Sequence, residues 1–387
     1  MSLSLTLPTT DGRREAYMMA GVPHVAPAAR PTFNRIVYAA AHVVSDPLRD
    51  SDPWGRPAID WDRTIAYRHH LWSLGFRIAE AMDTSQRGMG LDWAGAQELI
   101  RQSIAASRGV EGADLACGAG TDHLDPSSAR DLDDVIKAYE TQCEFVESQG
   151  GRIILMASRA LARVAQSADD YRKVYRRMLS QAKDKVILHW LGDMFDPQLR
   201  GYWGSERFEE ALDTVLTIIG ENRDKVEGIK ISLLDNAKEV ELRKRLPEGV
   251  LCYTGDDFNY SELIEGDGER HSHALLGIFD AVAIPASLAL SALAAGDTAR
   301  FRAIIEPTVP LSRRIFEAPT QYYKAGVVFL AWLSGHQSHF MMPAGMQSAR
   351  GILHYADVFR LADRSGVLAQ PDLAHARMKH LLGLAGL

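Results

Sequence analysis

A chain of 387 residues, 46% hydrophobic and 24% charged, holds enough apolar material for one large core with an appendage, or for two domains. Its 43 basic and 50 acidic residues are well mixed and leave a net charge of -7, which speaks against nucleic acid or an anionic membrane as the main partner. Three widely spaced cysteines, Cys117, Cys143 and Cys252, form no CxxC pair; they signal neither a disulfide framework nor a thiolate zinc site and fit a reducing cytoplasm.

Residues 1–31 are rich in Pro, Ala, Thr and Gly and predict an irregular N-terminal arm. Arg13, Arg14 and Glu15 interrupt it early, so no signal peptide is expected. No apolar run approaches the ~18 to 20 residues of a membrane-crossing helix; Ala325 to Leu333 is too short, and a soluble chain is expected. Arg35 to Val43 reads as a first strand, and the loop from Ser45 to Ala58 holds three prolines and Trp54. Ile59 to Asp62 opens a helix that runs to Leu74 and stops at Gly75.

From there a short apolar strand, a turn and an amphipathic helix recur. The further strands are Phe76 to Met82, Ala113 to Cys117, Arg152 to Met156, Val186 to Trp190, Val226 to Ile231, Val250 to Tyr253 and Ala274 to Phe279, eight in all. Leu132, Val135, Ile136, Tyr139, Cys143 and Val146 form one helical stripe, opened by Asp125-Pro126, and Phe208, Leu212, Val215, Ile218 and Ile219 form another, stopped by Gly220. Such alternation predicts parallel pairing, and eight units predict a closed (β/α)8 barrel over 32–295. An open doubly wound sheet normally has a Gly-rich loop after its first strand, and His42 to Pro47 is not one. Beyond it, Phe329 and Leu333, then Ile352, Tyr355 and Phe359, keep helical spacing, so 296–387 is read as a helical C-terminal region.

Barrel chemistry sits at the C-terminal strand ends. Those ends are crowded with polar residues: His42 and Asp46; Asp83 to Arg87; Thr121, Asp122 and His123; Ser158 and Arg159; His189 and Asp193; Lys230 and Ser232; Thr254, Asp256 and Asp257; Asp280. Helix capping is the plain explanation for Asp122 and for Asp256-Asp257. Lys230 stands between Ile229 and Ile231, so strand alternation puts it on the opposite face from both. If that face lines a barrel, burial lowers the ammonium pKa and frees the neutral amine that attacks a carbonyl. The plain alternative is a strand-end lysine reaching solvent.

The order of motifs resembles the dihydrodipicolinate synthase and N-acetylneuraminate lyase superfamily of Schiff-base aldolases. Gly228-Ile229-Lys230 is similar to that family's lysine strand, and Thr254-Gly255-Asp256-Asp257 to the Ser/Thr-Gly-Asp-Asp turn of its next strand. Ala295-Gly296-Asp297, then Glu317-Ala318-Pro319-Thr320 with Lys324-Ala325, resemble its C-terminal landmarks. The resemblance implies a class I lyase, aldolase or related dehydratase acting on a 2-oxo acid or aldehyde, with Lys230 forming the imine and no cofactor. It also implies a homodimer or homotetramer.

Departures from the family are specific. Where it has a proton-shuttling tyrosine, this chain has His189, whose imidazole suits that work. Where it has Gly-Thr-Thr-Gly-Glu around the substrate carboxylate, this chain has Asp83-Thr84-Ser85-Gln86-Arg87. Thr84 and Ser85 keep two hydroxyls for the relay, and carboxylate recognition is expected to move to Arg87 or Arg159. Asp83, Ser232, Asp256 and Asp257 complete the expected substrate contacts, and the family's tyrosine from a neighbouring subunit has no counterpart. Two alternatives stand beside this reading. One is a metal-assisted barrel lyase drawing on His42, His123, His189, His271, His273, Asp122, Asp193 and Asp256; no tight ligand spacing supports it, and His271 and His273 fall at the wrong barrel end. The other is a non-catalytic barrel that binds 2-oxo acids.

Overall fold

The computed structural model describes residues 3–49, 52, 54 and 57–387; Pro53, one of the three loop prolines, lies outside them. Two strands come first, β1 (Ser4–Pro8) and β2 (Arg14–Met18), paired antiparallel. Eight parallel strands follow: β3 (Val37–Ala40), β4 (Arg77–Glu80), β5 (Leu115–Ala119), β6 (Arg152–Leu155), β7 (Val186–Leu191), β8 (Val226–Ser232), β9 (Leu251–Thr254) and β10 (His273–Leu276). They close in sequence order, with β10 against β3, into a (β/α)8 barrel.

Strand alternation separates two apolar layers. Val37, Ile78, Leu115, Ile153, Leu188, Ile229, Ile231 and Leu276 face the surrounding helices and join the main core. Tyr38, Ala40, Ala79, Ala116, Ile154, Ile187, Tyr253 and Leu275 fill the barrel itself as a separate cluster. Below them a polar plug closes the N-terminal end: Arg152 bonds Asp114 at 2.9 Å and Glu227 at 3.1 Å, and the Tyr253 hydroxyl donates to Glu227 at 2.5 Å. His273 lies at this end, its Nδ1 accepting from the Ile36 amide at 2.9 Å.

Three details differ from the sequence reading. The last strand stops at Leu276, and Phe279 and Asp280 belong to a short helix, Ile278–Ala281; a brief apolar run does not by itself distinguish strand from buried helix. Helix Leu132–Ser148 is capped by Asp131, while Asp125-Pro126 opens a separate turn, Pro126–Ser128. The N-terminal arm carries the β1–β2 hairpin, in which Leu5 and Leu7 are buried and Ser4 and Thr6 exposed. It docks on the last helices: Asp363 accepts from the Tyr17 hydroxyl at 2.8 Å and the Ala20 amide at 3.1 Å.

The C-terminal region is helical among the described residues. Helix Tyr323–Leu333 is buried along its whole length, which explains why its sequence has no polar face. It brings Tyr323 to the barrel mouth.

A fully buried ion pair ties the barrel top together. Arg68, on helix Trp61–Ser73, donates to Glu80 at the end of β4 through Nε at 3.0 Å and Nη2 at 2.8 Å. It also donates to the carbonyls of Thr64, Ala41 and His42, and Glu80 accepts from Ser103 and from the Ala81 amide. Both partners are completely enclosed, so removing one strands the other's charge. Arg68→Met should lower unfolding free energy by about 3 to 5 kcal/mol in urea titrations, and Arg68→Met with Glu80→Leu should recover much of the loss.

Candidate active site

β8 delivers Lys230 to the upper interior. Ile229 and Ile231 pack outward, and Lys230 is buried at 8% exposure with no hydrogen-bond partner for its Nζ among the described residues. Burial lowers its pKa, while the charges of Asp83 and Asp257 pull the other way. Strand register sets His189 of β7 on one side of it and Tyr253 of β9 on the other. Gly255 makes room for the lysine stem: a Cβ there would lie 2.1 Å from Ser232 Oγ and 2.7 Å from Lys230 Cε.

His189 is buried, and its pKa falls well below the ordinary histidine value, first from burial and then from Lys230. Its Nε2 lies 3.5 Å from Ser232 Oγ, the outer limit of a hydrogen bond. Burial thus favours the neutral imidazole, whose unprotonated ring nitrogen is a hydrogen-bond acceptor held within the barrel.

The turn after β4 divides the work of its residues. Thr84 Oγ1 lies 2.8 Å from the hydroxyl of Tyr323, both buried. Gly277 leaves space for this pair; a Cβ there would sit 3.1 Å from Tyr323 and 3.3 Å from Thr84 Oγ1. Ser85 instead donates to Met82 O at 2.7 Å, within its own turn. Tyr323 was not singled out in the sequence; its one signal is adjacency to Lys324-Ala325, and only the folding of the last helices over the barrel mouth reveals the contact.

Asp257 is buried, and burial raises its carboxyl to about 7 against the opposing pull of Lys230. Its Oδ1 accepts from the Ile278 amide at 2.9 Å, joining the lysine side of the site to the short helix after β10. Asp256 is occupied locally, accepting from the Phe258 and Asn259 amides at 2.8 and 3.0 Å and from the Asn259 side chain at 2.8 Å. It orders the turn.

Beside His189 opens a cavity of about 180 Å³, to which Asp83, Arg87, Thr121, Asp122, Arg159 and Asp196 contribute. Arg87 is fully engaged. Its guanidinium grips Asp122 at 3.0 and 2.8 Å, donates to Gly118 O at 2.6 Å and Ala81 O at 3.3 Å, and bonds Gln142. This leaves Arg159 as the partly exposed guanidinium of the cavity, with its Nε on Asp196 at 2.5 Å. The residues weighed as metal ligands are dispersed: His42 pairs with Asp280 at 2.8 Å, His123 meets Gln142 at 2.8 Å, and Asp193 meets Arg200 at 3.7 Å. No three His, Cys, Asp or Glu side chains among the described residues are grouped to hold a metal ion.

The model of a family described as a protein of unknown function, DUF993, matches residues 5–387. No curated protein matches the sequence. Solved structures show the same fold at low identity. A 4-hydroxy-tetrahydrodipicolinate synthase from Methylacidiphilum fumariolicum SolV has a TM-score of 0.64 at 13% identity, covering 90% of this chain and 99% of its own. YagE of E. coli K12, a member of the dihydrodipicolinic acid synthase family solved with pyruvate, has a TM-score of 0.63 at 13% identity, covering 92% and 100%. Dihydrodipicolinate synthase from Aquifex aeolicus has a TM-score of 0.59 at 12% identity, covering 84% and 98%.

The burial of Lys230 has a pH signature. In the unfolded chain a lysine keeps its proton up to about 10.5, whereas the buried one releases it earlier. Between those values the unfolded state binds more protons, so the Lys230 contribution to stability rises with pH. Lys230→Met should therefore be more stable than the parent at pH 7, and the gap in urea midpoints should close as pH approaches the unfolded value.

Proposed function

The chain belongs to the DUF993 family, and we propose that it is an imine-forming lyase, aldolase or related dehydratase that acts on a small carbonyl compound, a 2-oxo acid or an aldehyde, through Lys230. The observation that carries this reading is a buried, unpartnered lysine amine in register with a neutral histidine inside a closed barrel. No helix of the described residues is long and apolar enough to cross a membrane.

In this reading the neutral Lys230 amine adds to the carbonyl carbon, and a proton moves from nitrogen to the former carbonyl oxygen. The carbinolamine hydroxyl then takes up a proton and leaves as water, giving a protonated imine. Cleavage of the next carbon–carbon bond, as the β-hydroxyl gives up its proton, sends the C–C pair toward the imine nitrogen. In a dehydration the α-carbon loses a proton, its C–H pair moves to the nitrogen, and the enamine then expels the protonated β-hydroxyl as water. The enamine formed by C–C cleavage takes a proton at carbon, and water releases the product and returns the free amine. His189 accepts and returns these protons at Nε2, with Ser232 ordering it. The Thr84–Tyr323 hydroxyl pair at the barrel mouth, contributed by one chain, is the second path for protons. Arg159 and the cavity beside His189 receive the rest of the substrate, and Asp257 holds the helix after β10 against the lysine.

Borohydride reduction of the protein with candidate carbonyl compounds should leave a secondary amine on the Lys230 peptide, detected by mass spectrometry. Lys230→Ala should abolish turnover; a variant with full turnover would refute the imine. His189→Asn and Tyr323→Phe should each lower kcat by about a hundredfold or more while Lys230 remains trappable. Unchanged kcat in either variant would remove that residue from the relay.

A further inference from the structure

The walls of the cavity beside His189 carry one carboxylate with no direct partner among the described residues. Asp83, Asp122 and Asp196 line it with Arg87 and Arg159, and each arginine already has a carboxylate partner, Asp122 at 2.8 Å for Arg87 and Asp196 at 2.5 Å for the Nε of Arg159. His189, on the same wall, is kept neutral by burial and by Lys230. Asp83 remains. Its side chain is half-buried and has no hydrogen-bond or ion-pair partner among the described residues, and its charge reaches Lys230. The other buried cation nearby, Lys324, is not part of the cavity wall: it donates to Gln321 O at 3.0 Å and lies 3.5 Å from the Met89 sulfur, and it meets the charges of Asp83 and Asp196 without bonding either.

A pocket for a carboxylate next to the reacting carbonyl requires N–H or O–H donors or a free cation. The turn after β4 offers the reverse. Arg87 is consumed by Asp122, Gln142 and two carbonyls, the Ser85 hydroxyl is spent on Met82 O, and Asp83 presents a bare acceptor. Apolar surfaces from Leu124, Met156 and Leu199 complete the wall. We infer that the substrate is an uncharged, hydroxylated ketone or aldehyde rather than a 2-oxo acid, with its hydroxyls donating to Asp83 and to the carboxylates of Asp122 and Asp196. A substrate carboxylate at the same place would meet a like charge in a partly enclosed site, where repulsion is stronger than in water. The inference rests on the imine at Lys230 and concerns only which carbonyl compound forms it.

Dihydroxyacetone and pyruvate make the test, since both are three-carbon ketones, the first with a hydroxymethyl group on each side of its carbonyl and the second with a methyl and a carboxylate. The full-length protein is reduced with borohydride at neutral pH in equal concentrations of the two, and both adducts are counted on the Lys230 peptide. The dihydroxyacetone adduct should exceed the pyruvate adduct by about tenfold or more, and Asp83→Asn should move the ratio toward pyruvate by a similar factor. Equal or preferential labelling by pyruvate in the unaltered protein would overturn the inference while leaving the imine intact. Absence of any adduct on Lys230 with these ketones or with glyceraldehyde would overturn the imine reading, and this inference with it.

Discussion

A lysine buried in a closed barrel is the constraint on which the rest of this site depends. Strand alternation sends Lys230 inward because Ile229 and Ile231 must face the helices, and the closed sheet leaves it only 8% exposed. Burial then disfavours the charge. The surroundings moderate the cost without cancelling it: Asp83 and Asp257 favour the ammonium but do not neutralise it through a direct ion pair among the described residues. A direct carboxylate partner would hold the proton on nitrogen. Its absence at contact distance keeps the amine within reach of its neutral form.

Holding such a group requires a rigid frame, and the frame is built from buried polar networks as much as from apolar packing. The Arg68–Glu80 pair anchors the ends of β3 and β4 to the first barrel helix. One turn later Arg87 ties the loop after β4 to the end of β5 through Asp122 and Gly118. Between them the chain passes through Ala81 at a φ of 53°, a left-handed conformation unfavourable for alanine, which the bonds from Arg87 and Glu80 hold in place. The same turn presents Asp83 and Thr84 to the site. Buried pairs of this kind add little net stability, but they are unforgiving of misplacement, and that suits residues whose positions matter more than their contribution to folding.

The C-terminal helices complete the mouth. Because helix Tyr323–Leu333 is enclosed on all sides, the position of its first residue is set by the packing of the whole region, and the Tyr323 hydroxyl meets Thr84 as a consequence. The N-terminal hairpin clasps the outside of this region through Tyr17 and Asp363, so both ends of the chain support the lid of one barrel.

Much of this was readable from residue order. Strand and helix periods, eight repeats and the inward parity of Lys230 follow from local patterns that any fold built on them must respect, and the neighbouring places of His189 and Lys230 follow from parallel pairing of consecutive strands. Other features had no local signature. Arg87 and Arg159 look alike in sequence, yet the first is saturated by Asp122 and Gln142 and the second reaches the cavity. Ser85 and Thr84 are adjacent hydroxyls, and only one faces a partner across the barrel mouth. Asp256 and Asp257 are also adjacent, one closing a turn and the other buried near the lysine. By itself the sequence determined the barrel and the face on which its lysine stands, because hydrophobic period and strand alternation are properties of the chain alone. The tertiary structure decided which charges are free and which hydroxyls meet, because those depend on partners 20 to 239 positions away brought together by packing.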